Sequence, residues 1–262
     1  MSIDNYTEAN RQMWNATAAV HAQAYVNDLL TRIAAPDFTT FDAVEQRLFA
    51  QIGLNGKAVI QLCCNNGREL IAVKKAGAGR CLGVDISDAF IAQGRELAQA
   101  GGVEVEFVRS SVYDLPPELN GQFDLAYITI GALGWLPDLD GFFDLVANLL
   151  KTHGQLFIYE MHPILNMFDA DKGLVVDASY FRREPFVEDE GPDYMDPSQV
   201  VKGRAYWFSH TLTDIIGGCL KHDLNLTHFE EYEHDISMVY AAFAHFDQKP
   251  PLSYSLIAQK MP

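Results

Sequence analysis

The residues able to do chemistry in this chain stand at the ends of short apolar runs. Glu160 and His162 lie two apart in Glu-Met-His-Pro. An acid and an imidazole so placed can take a proton from a bound nucleophile, and Pro163 fixes the turn behind them. His210 opens a later helical stretch and is a third candidate to face substrate. Asp85 ends another apolar run, about twenty residues past the end of the one before it, the separation at which an acid accepts ribose hydroxyls. As an alternative, Asp85 caps the helix beginning near Ser87.

The turn Cys63-Cys64-Asn65-Asn66-Gly67 precedes that acid. Asn and Gly tolerate left-handed backbone and let a ligand approach, and the helix that follows offers free N–H groups to a carboxylate or phosphate. A dinucleotide site asks for G-x-G-x-x-G, whereas this turn holds one glycine, with Cys63 and Asn65 in place of the others. That argues against a pyrophosphate. The run ending at Arg109 leads into Ser110-Ser111-Val112-Tyr113-Asp114, whose polar groups suit an adenine edge, with Asp114 equally readable as a turn acid. The run ending near Thr129 leads into an apolar loop through Ile130 and Trp135 that can wall a pocket. An adenosine carrying a small anion fits this set better than a dinucleotide.

The elements needed to place these residues alternate. Strands are expected at 58–62, 81–84, 103–108, 123–129 and 155–160, with helices at 68–76, 88–100 and 139–151 between them, the rhythm of parallel crossovers. The strand runs are short and nearly continuous, as for strands covered on both faces. Before them, 7–33 suits one or two helices and 40–52 a further one. After Met161 the rhythm breaks. Residues 163–208 hold Asp-Pro, Gly-Pro and acidic clusters, with strand-like pieces at 174–181 and 204–208, and read as an inserted cap. A helix at 211–220 and strands at 224–233 and 253–259 complete a mixed sheet. The expectation is a single α/β domain with a Rossmann-like seven-stranded sheet: an N-terminal helical cap (1–55), a core (56–162), the insertion (163–208) and C-terminal elements (209–262).

Composition narrows the partners. Thirty-five acids against 19 Lys and Arg give a formal charge of −16, which repels a phosphate backbone, and the pairs Lys74-Lys75 and Arg182-Arg183 are too small to make a basic face. Nucleic acid is not expected. Four cysteines, two of them adjacent, form neither a disulfide framework nor metal-ligand spacing. The polar N-terminus and the lack of any run of about 18 apolar residues point away from a signal peptide and a membrane span. The expectation is a cytoplasmic monomer or homodimer.

In their order and spacing, the segments around Leu62-Cys63-Cys64-Asn65-Asn66-Gly67, Gly83-Val84-Asp85-Ile86-Ser87, Tyr113-Asp114-Leu115-Pro116, Phe123-Asp124-Leu125-Ala126-Tyr127 and Trp135-Leu136-Pro137-Asp138 resemble the class I S-adenosylmethionine-dependent methyltransferases, in particular their bacterial small-molecule branch. The resemblance covers roughly 59–162. It implies a seven-stranded sheet with the last strand antiparallel, and S-adenosyl-L-methionine as cofactor. It places Cys63, Cys64, Asn65 and Gly67 against the methionine part, Asp85 on the ribose, Ile86 on the adenine, Ser111 and Val112 at its edge, and Thr129 or Ile130 on the methionine side. The family usually has an acid at Gln61 and glycines at Cys63 and Asn65. Gln61 still accepts hydrogen bonds, so weaker or rearranged binding is expected.

Methyl transfer is an in-line displacement by a nucleophile that the acceptor brings, accelerated mostly by positioning. Glu160, His162 and His210 are the base candidates. Trp14, His21, Tyr25 and Trp135 are expected to cover cofactor or substrate, with core packing as the plainer role for the aromatics. The acidic insertion suits a polar or cationic small-molecule acceptor. The alternative is a non-catalytic protein of the same fold that binds S-adenosylmethionine or S-adenosylhomocysteine.

Overall fold

The computed structural model describes every residue except Tyr194 and Pro197, and the backbone alone of Ala24. The chain opens with α1 (Ile3–His21), continues through a π-helical turn (Ala22–Val26) into α2 (Asn27–Ile33), and then forms α3 (Ala43–Ile52). Asp42 and Glu45 start α3 with a reciprocal capping box, and Gly53 ends it at φ +71°. From there strand and helix alternate: β1 (Val59–Leu62), α4 (Arg68–Lys75), β2 (Cys81–Asp85), α5 (Asp88–Ala100), β3 (Glu106–Arg109), β4 (Phe123–Ile128), α6 (Leu139–Leu149) and β5 (Leu150–Met161). A hairpin of β6 (Phe186–Pro192) and β7 (Val200–Trp207) follows, then α7 (Leu212–Lys221), β8 (Leu224–Tyr232) and β9 (Ser253–Lys260).

Seven strands form one sheet in the order β3-β2-β1-β4-β5-β9-β8. Pairing is parallel from β3 to β5. β9 enters antiparallel between β5 and β8. Alternate residues of each central strand supply opposite cores. Ile60, Leu62, Ala126, Ile128, Leu156 and Ile158 pack on Phe142, Phe143 and Val146 of α6. Val59, Leu125, Tyr127 and Phe157 pack on Leu48, Phe49 and Ile52 of α3 and Leu70 of α4. Burial on both faces explains why these strands read as continuous apolar runs. The order reverses at β1 and β4, which opens the carboxyl edge of the sheet there.

Phe107 of β3 packs under that edge. Its ring occupies the space a Cβ would need at Gly67, 2.4 Å from the nearest ring carbon, at Gly94, 2.8 Å, and at Gly83, 2.9 Å. Three glycines thereby let the turn after β1, α5 and β2 close on one ring.

The insertion differs from expectation. Residues 174–181 hold no strand, only an isolated bridge from Phe168 to Val176. The ribbon instead uses Phe186–Pro192 with Val200–Trp207. β6 is almost entirely exposed, so its sequence carries no alternating apolar signal to read. β5 also begins at Leu150 rather than near 155, so α6 ends earlier than expected. The ribbon rests on α1. Asn10 donates through Nδ2 to the Tyr206 carbonyl at 3.0 Å and accepts the Tyr206 N–H at 2.8 Å, while Tyr6 packs edge-on against Tyr206 and Phe208. No helix is long and apolar enough to cross a membrane among the described residues.

Candidate functional site

The turn leaving β1 makes two successive left-handed excursions, at Cys63 (φ 55°) and Asn65 (φ 52°), before a third at Gly67 (φ 67°). Left-handed backbone costs a non-glycine residue about 1–2 kcal/mol, so the surroundings must hold it. Cys64 N–H donates to the Val84 carbonyl at 2.9 Å and Gly67 N–H to the Cys64 carbonyl at 2.8 Å. Asn65 N–H donates to Asp85 Oδ2 at 2.7 Å, and Asp85 Oδ1 accepts the Ser87 N–H at 2.9 Å. Burial lifts the Asp85 carboxyl to about 6 against the pull of these donors. Asp85 ends β2 at the carboxyl edge of the sheet and braces the entry to α5, whose cap is Ser87 rather than Asp85 itself.

Gln61 is fully buried at the end of β1. Its Nε2 donates to Thr129 Oγ1 at 3.4 Å, and its Oε1 has no partner among the described residues. An unmet buried acceptor costs about 1–3 kcal/mol, so this oxygen is a place where a ligand N–H would be welcome. The ammonium of the methionine part of S-adenosylmethionine is such a donor. Around it Cys63, Asn65, Ile86, Ser111 and Thr129 are half-buried, Cys64, Gly67 and Val112 are buried, and Ile130 is exposed. Burial pushes the Cys63 thiol up, as it does those of Cys64, Cys81 and Cys219. All four are free thiols.

The expected base candidates come together. Glu160, His162 and His210 line one small cavity of about 30 Å³ with Asn166, Trp207 and Tyr254, about the room of a single water molecule. Each of the three is engaged. Glu160 accepts backbone N–H groups from Gly131 (2.5 Å) and Met161 (2.7 Å) on Oε1, and from Ala132 (2.8 Å) and Leu133 (3.3 Å) on Oε2. Its carboxyl, pushed up to about 7 by burial, therefore builds the loop after β4. His162 Nδ1 accepts the Ile164 N–H at 3.2 Å, so the neutral ring carries its proton on Nε2, 2.9 Å from Glu231 Oε1. His210 Nε2 lies 2.9 Å from the Leu136 carbonyl, which fixes a proton on that nitrogen. Burial pushes both imidazoles down.

The aromatics form a second cluster. Trp14 packs on Trp135 with ring centroids 5.0 Å apart, and Trp135 on Trp207 at 5.0 Å, both edge to face. These are all three tryptophans of the chain, joining α1, the loop after β4 and the ribbon. His21 lies 5.4 Å from Tyr25 and 5.5 Å from Phe90, ring to ring. Its Nε2 is 3.1 Å from Asp193 Oδ2 of the insertion. Tyr25 hydroxyl accepts from Asn66 Nδ2 at 2.8 Å, tying the helical cap to the turn after β1. Trp207 lies on Gly134 and donates from Nε1 to Asn166 Oδ1 at 3.0 Å.

Tyr254, Asn166 and Trp207 were not expected at the site. Tyr254 reads as a buried strand residue, and only its register opposite Glu160 places it here. A larger surface hollow of about 670 Å³ lies at the opposite edge of the sheet. Its cations are already engaged, Arg80 with Glu106, Arg95 with the Phe107 carbonyl and Lys74 with the Gly79 carbonyl. No group of metal-ligating side chains occurs among the described residues.

Known proteins share this fold. A family model described as a methyltransferase domain matches residues 59–154. The ribosomal protein L11 methyltransferase of Yersinia pseudotuberculosis is 36% identical over 105 residues, 40% of this chain and 34% of that protein. The chain thus spans about a third of the length of the curated relatives it matches. An S-adenosylmethionine-dependent methyltransferase from Mesorhizobium loti superposes with a TM-score of 0.57 at 21% identity, over 84% of this chain and 98% of that one. The geranyl diphosphate C-methyltransferase of Streptomyces coelicolor A3(2), solved with Mg²⁺, geranyl diphosphate and S-adenosyl-L-homocysteine, does so with 0.57 at 11%, over 82% and 78%. At these identities the structural likeness is one of fold. Residues 59–154 match a methyltransferase domain, and the chain shares its fold with solved S-adenosylmethionine-dependent methyltransferases.

Proposed function

We propose that the protein transfers a methyl group from S-adenosylmethionine to a small-molecule acceptor. The observation that carries this reading is the pairing of the left-handed turn 63–67, held by Asp85, with the buried and unpartnered Oε1 of Gln61. Together they offer backbone groups and an acceptor oxygen to an amino-acid moiety, and an acid to a ribose. The cofactor supplies an electrophilic methyl. The residues that hold it in this reading are Gln61, Cys63, Cys64, Asn65, Gly67, Asp85, Ile86, Ser111, Val112, Thr129 and Ile130.

Glu160 fixes the loop after β4, and His162 and His210 fix the walls beside it. Trp14, His21, Tyr25, Trp135 and the ribbon cover the edge from above. A macromolecular acceptor like the one named for the ribosomal protein methyltransferases fits less well. Likeness to them covers only about 105 residues, and here α1 and the ribbon close over the edge. The protein is read as a cytoplasmic monomer or homodimer that binds no nucleic acid, in keeping with its charge of −16.

Release of S-adenosylhomocysteine from methyl-labelled cofactor, with label recovered in a compound of low molecular mass, tests the reading. Label recovered only in protein or RNA would replace it. The committed lone pairs of Glu160 and His162 favour a second reading, a cofactor-binding protein without turnover. Tight binding with no labelled product from any acceptor would establish that one.

A further inference from the structure

An ammonium group brought to Gln61 needs more than an amide oxygen. The buried, unpartnered Oε1 offers a dipole, whereas a full positive charge drawn out of water is held only where a counter-charge stands beside it. The sheet decides which acid that is. Val59 and Gln61 leave β1 on one face, and α3 and α4 pack on that face against Val59. Tyr127 of β4 is the register partner of Gln61. Its hydroxyl donates to Glu45, in the first turn of α3. Glu69 stands in the first turn of α4, directly after the turn 63–67. Each helix thus brings an acid to the end of β1.

The acids on this face differ in what they already hold. Asp42 accepts the Glu45 N–H and the Tyr159 hydroxyl. Glu45 accepts the Tyr127 hydroxyl on one oxygen and the Asp42 N–H on the other. Glu69 accepts from Arg68 Nε on Oε1 at 2.6 Å, and no hydrogen bond reaches its Oε2 among the described residues. Its side chain keeps 17% of its surface exposed, so it stands at the rim between the turn and solvent. Burial is the main cause that raises Glu45, Tyr127, Tyr25 and Cys64, and the negative charge of Glu69 adds to it in all four. Those groups come from α3, β4, the π-helical turn and the turn after β1, which places Glu69 in their midst.

Resting on the methyltransferase reading, we infer that Glu69 is the anionic partner of the cofactor's amino group and holds it together with Gln61 Oε1. A cation seated there also acts on Glu45. The titratable groups facing that carboxyl are Asp42 of its own helix cap, Tyr127 of β4, Tyr159 of β5 and Glu69 of α4. Burial lifts it to about 7, so near neutral pH part of the population carries a proton there. An added positive charge favours the ionised form and expels it. Binding of the amine is therefore linked to proton release, and affinity rises with pH across that range by less than tenfold per unit.

The test titrates the full chain calorimetrically with S-adenosylhomocysteine and with 5′-methylthioadenosine, which keeps the adenosine and the sulfur and lacks the amino-acid moiety. Glu69→Gln keeps the shape and removes the charge. It should weaken S-adenosylhomocysteine at least tenfold and leave methylthioadenosine within twofold, so the second ligand reports whether the site is still folded.

A second measurement needs no variant. In buffers of different ionisation enthalpy at pH 7, wild-type protein should release a larger fraction of a proton with S-adenosylhomocysteine than with methylthioadenosine, and the excess should vanish in Glu45→Gln. Unchanged S-adenosylhomocysteine affinity in Glu69→Gln, an equal loss for both ligands, or equal proton release with the two overturns the inference. If S-adenosylhomocysteine does not bind the wild-type chain at all, the methyltransferase reading itself fails, which separates the two.

Discussion

Asp85 Oδ2 accepts the backbone N–H of Asn65 at 2.7 Å and so ties the end of β2 to a left-handed residue in the turn after β1. One carboxylate thus holds the turn in shape while facing the edge where a ribose would lie. Asp85→Ala should strand the Asn65 and Ser87 N–H groups, lowering stability by about 1–3 kcal/mol. S-adenosylhomocysteine affinity should fall by at least tenfold. Chemical denaturation with calorimetry on the same samples checks both, and unchanged affinity removes Asp85 from the ribose.

Gln61 separates binding from folding. Gln61→Met keeps the length of the side chain and deletes the unpartnered Oε1 together with the long bond to Thr129. The melting temperature should hold or rise while cofactor affinity drops severalfold. A lower melting temperature with unchanged affinity would show that this amide serves the fold alone.

Gly134 carries the ribbon. A Cβ there would sit 2.2 Å from the Trp207 ring, so Gly134→Ala must push the indole off the loop, at a cost of about 1–3 kcal/mol. Because the three tryptophans touch in series, the displacement should appear as a shift in intrinsic fluorescence. An unaltered spectrum contradicts the packing described.

Glu45 gives a pH signature on the other face of the sheet. It is buried, accepts the Tyr127 hydroxyl and the Asp42 N–H, and burial lifts its carboxyl from 4.5 to about 7. Between those values the folded chain keeps a proton that the unfolded chain has lost. Stability relative to Glu45→Gln should therefore fall as pH rises through that window, by at most about 1.4 kcal/mol per unit, and level off on either side. Denaturation midpoints of both proteins across the window check the sign. A difference that grows with pH refutes it.

How far the sequence could be read depended on how local the cause was. The place of Asp85 at the end of β2 was legible because an acid that closes an apolar run marks where a buried strand reaches the edge of the sheet. The sheet was legible because strands buried on both faces are continuously apolar. Glu160 was found, but its task was not, since its donors at Gly131 to Leu133 lie in a separate loop more than 25 residues away. Tyr254 depends on an antiparallel register that local pattern does not specify. The ribbon escaped because β6 exposes nearly all of its residues, and only Asn10 and Tyr6 of a distant helix hold its partner strand.

Calorimetric titration with S-adenosylhomocysteine tests the central claim most directly, because it needs no acceptor. Saturable one-to-one binding is expected. At a hundred times the dissociation constant the ligand should add about 2.7 kcal/mol to folding stability. Absence of both heat and thermal stabilisation at millimolar ligand would contradict the account.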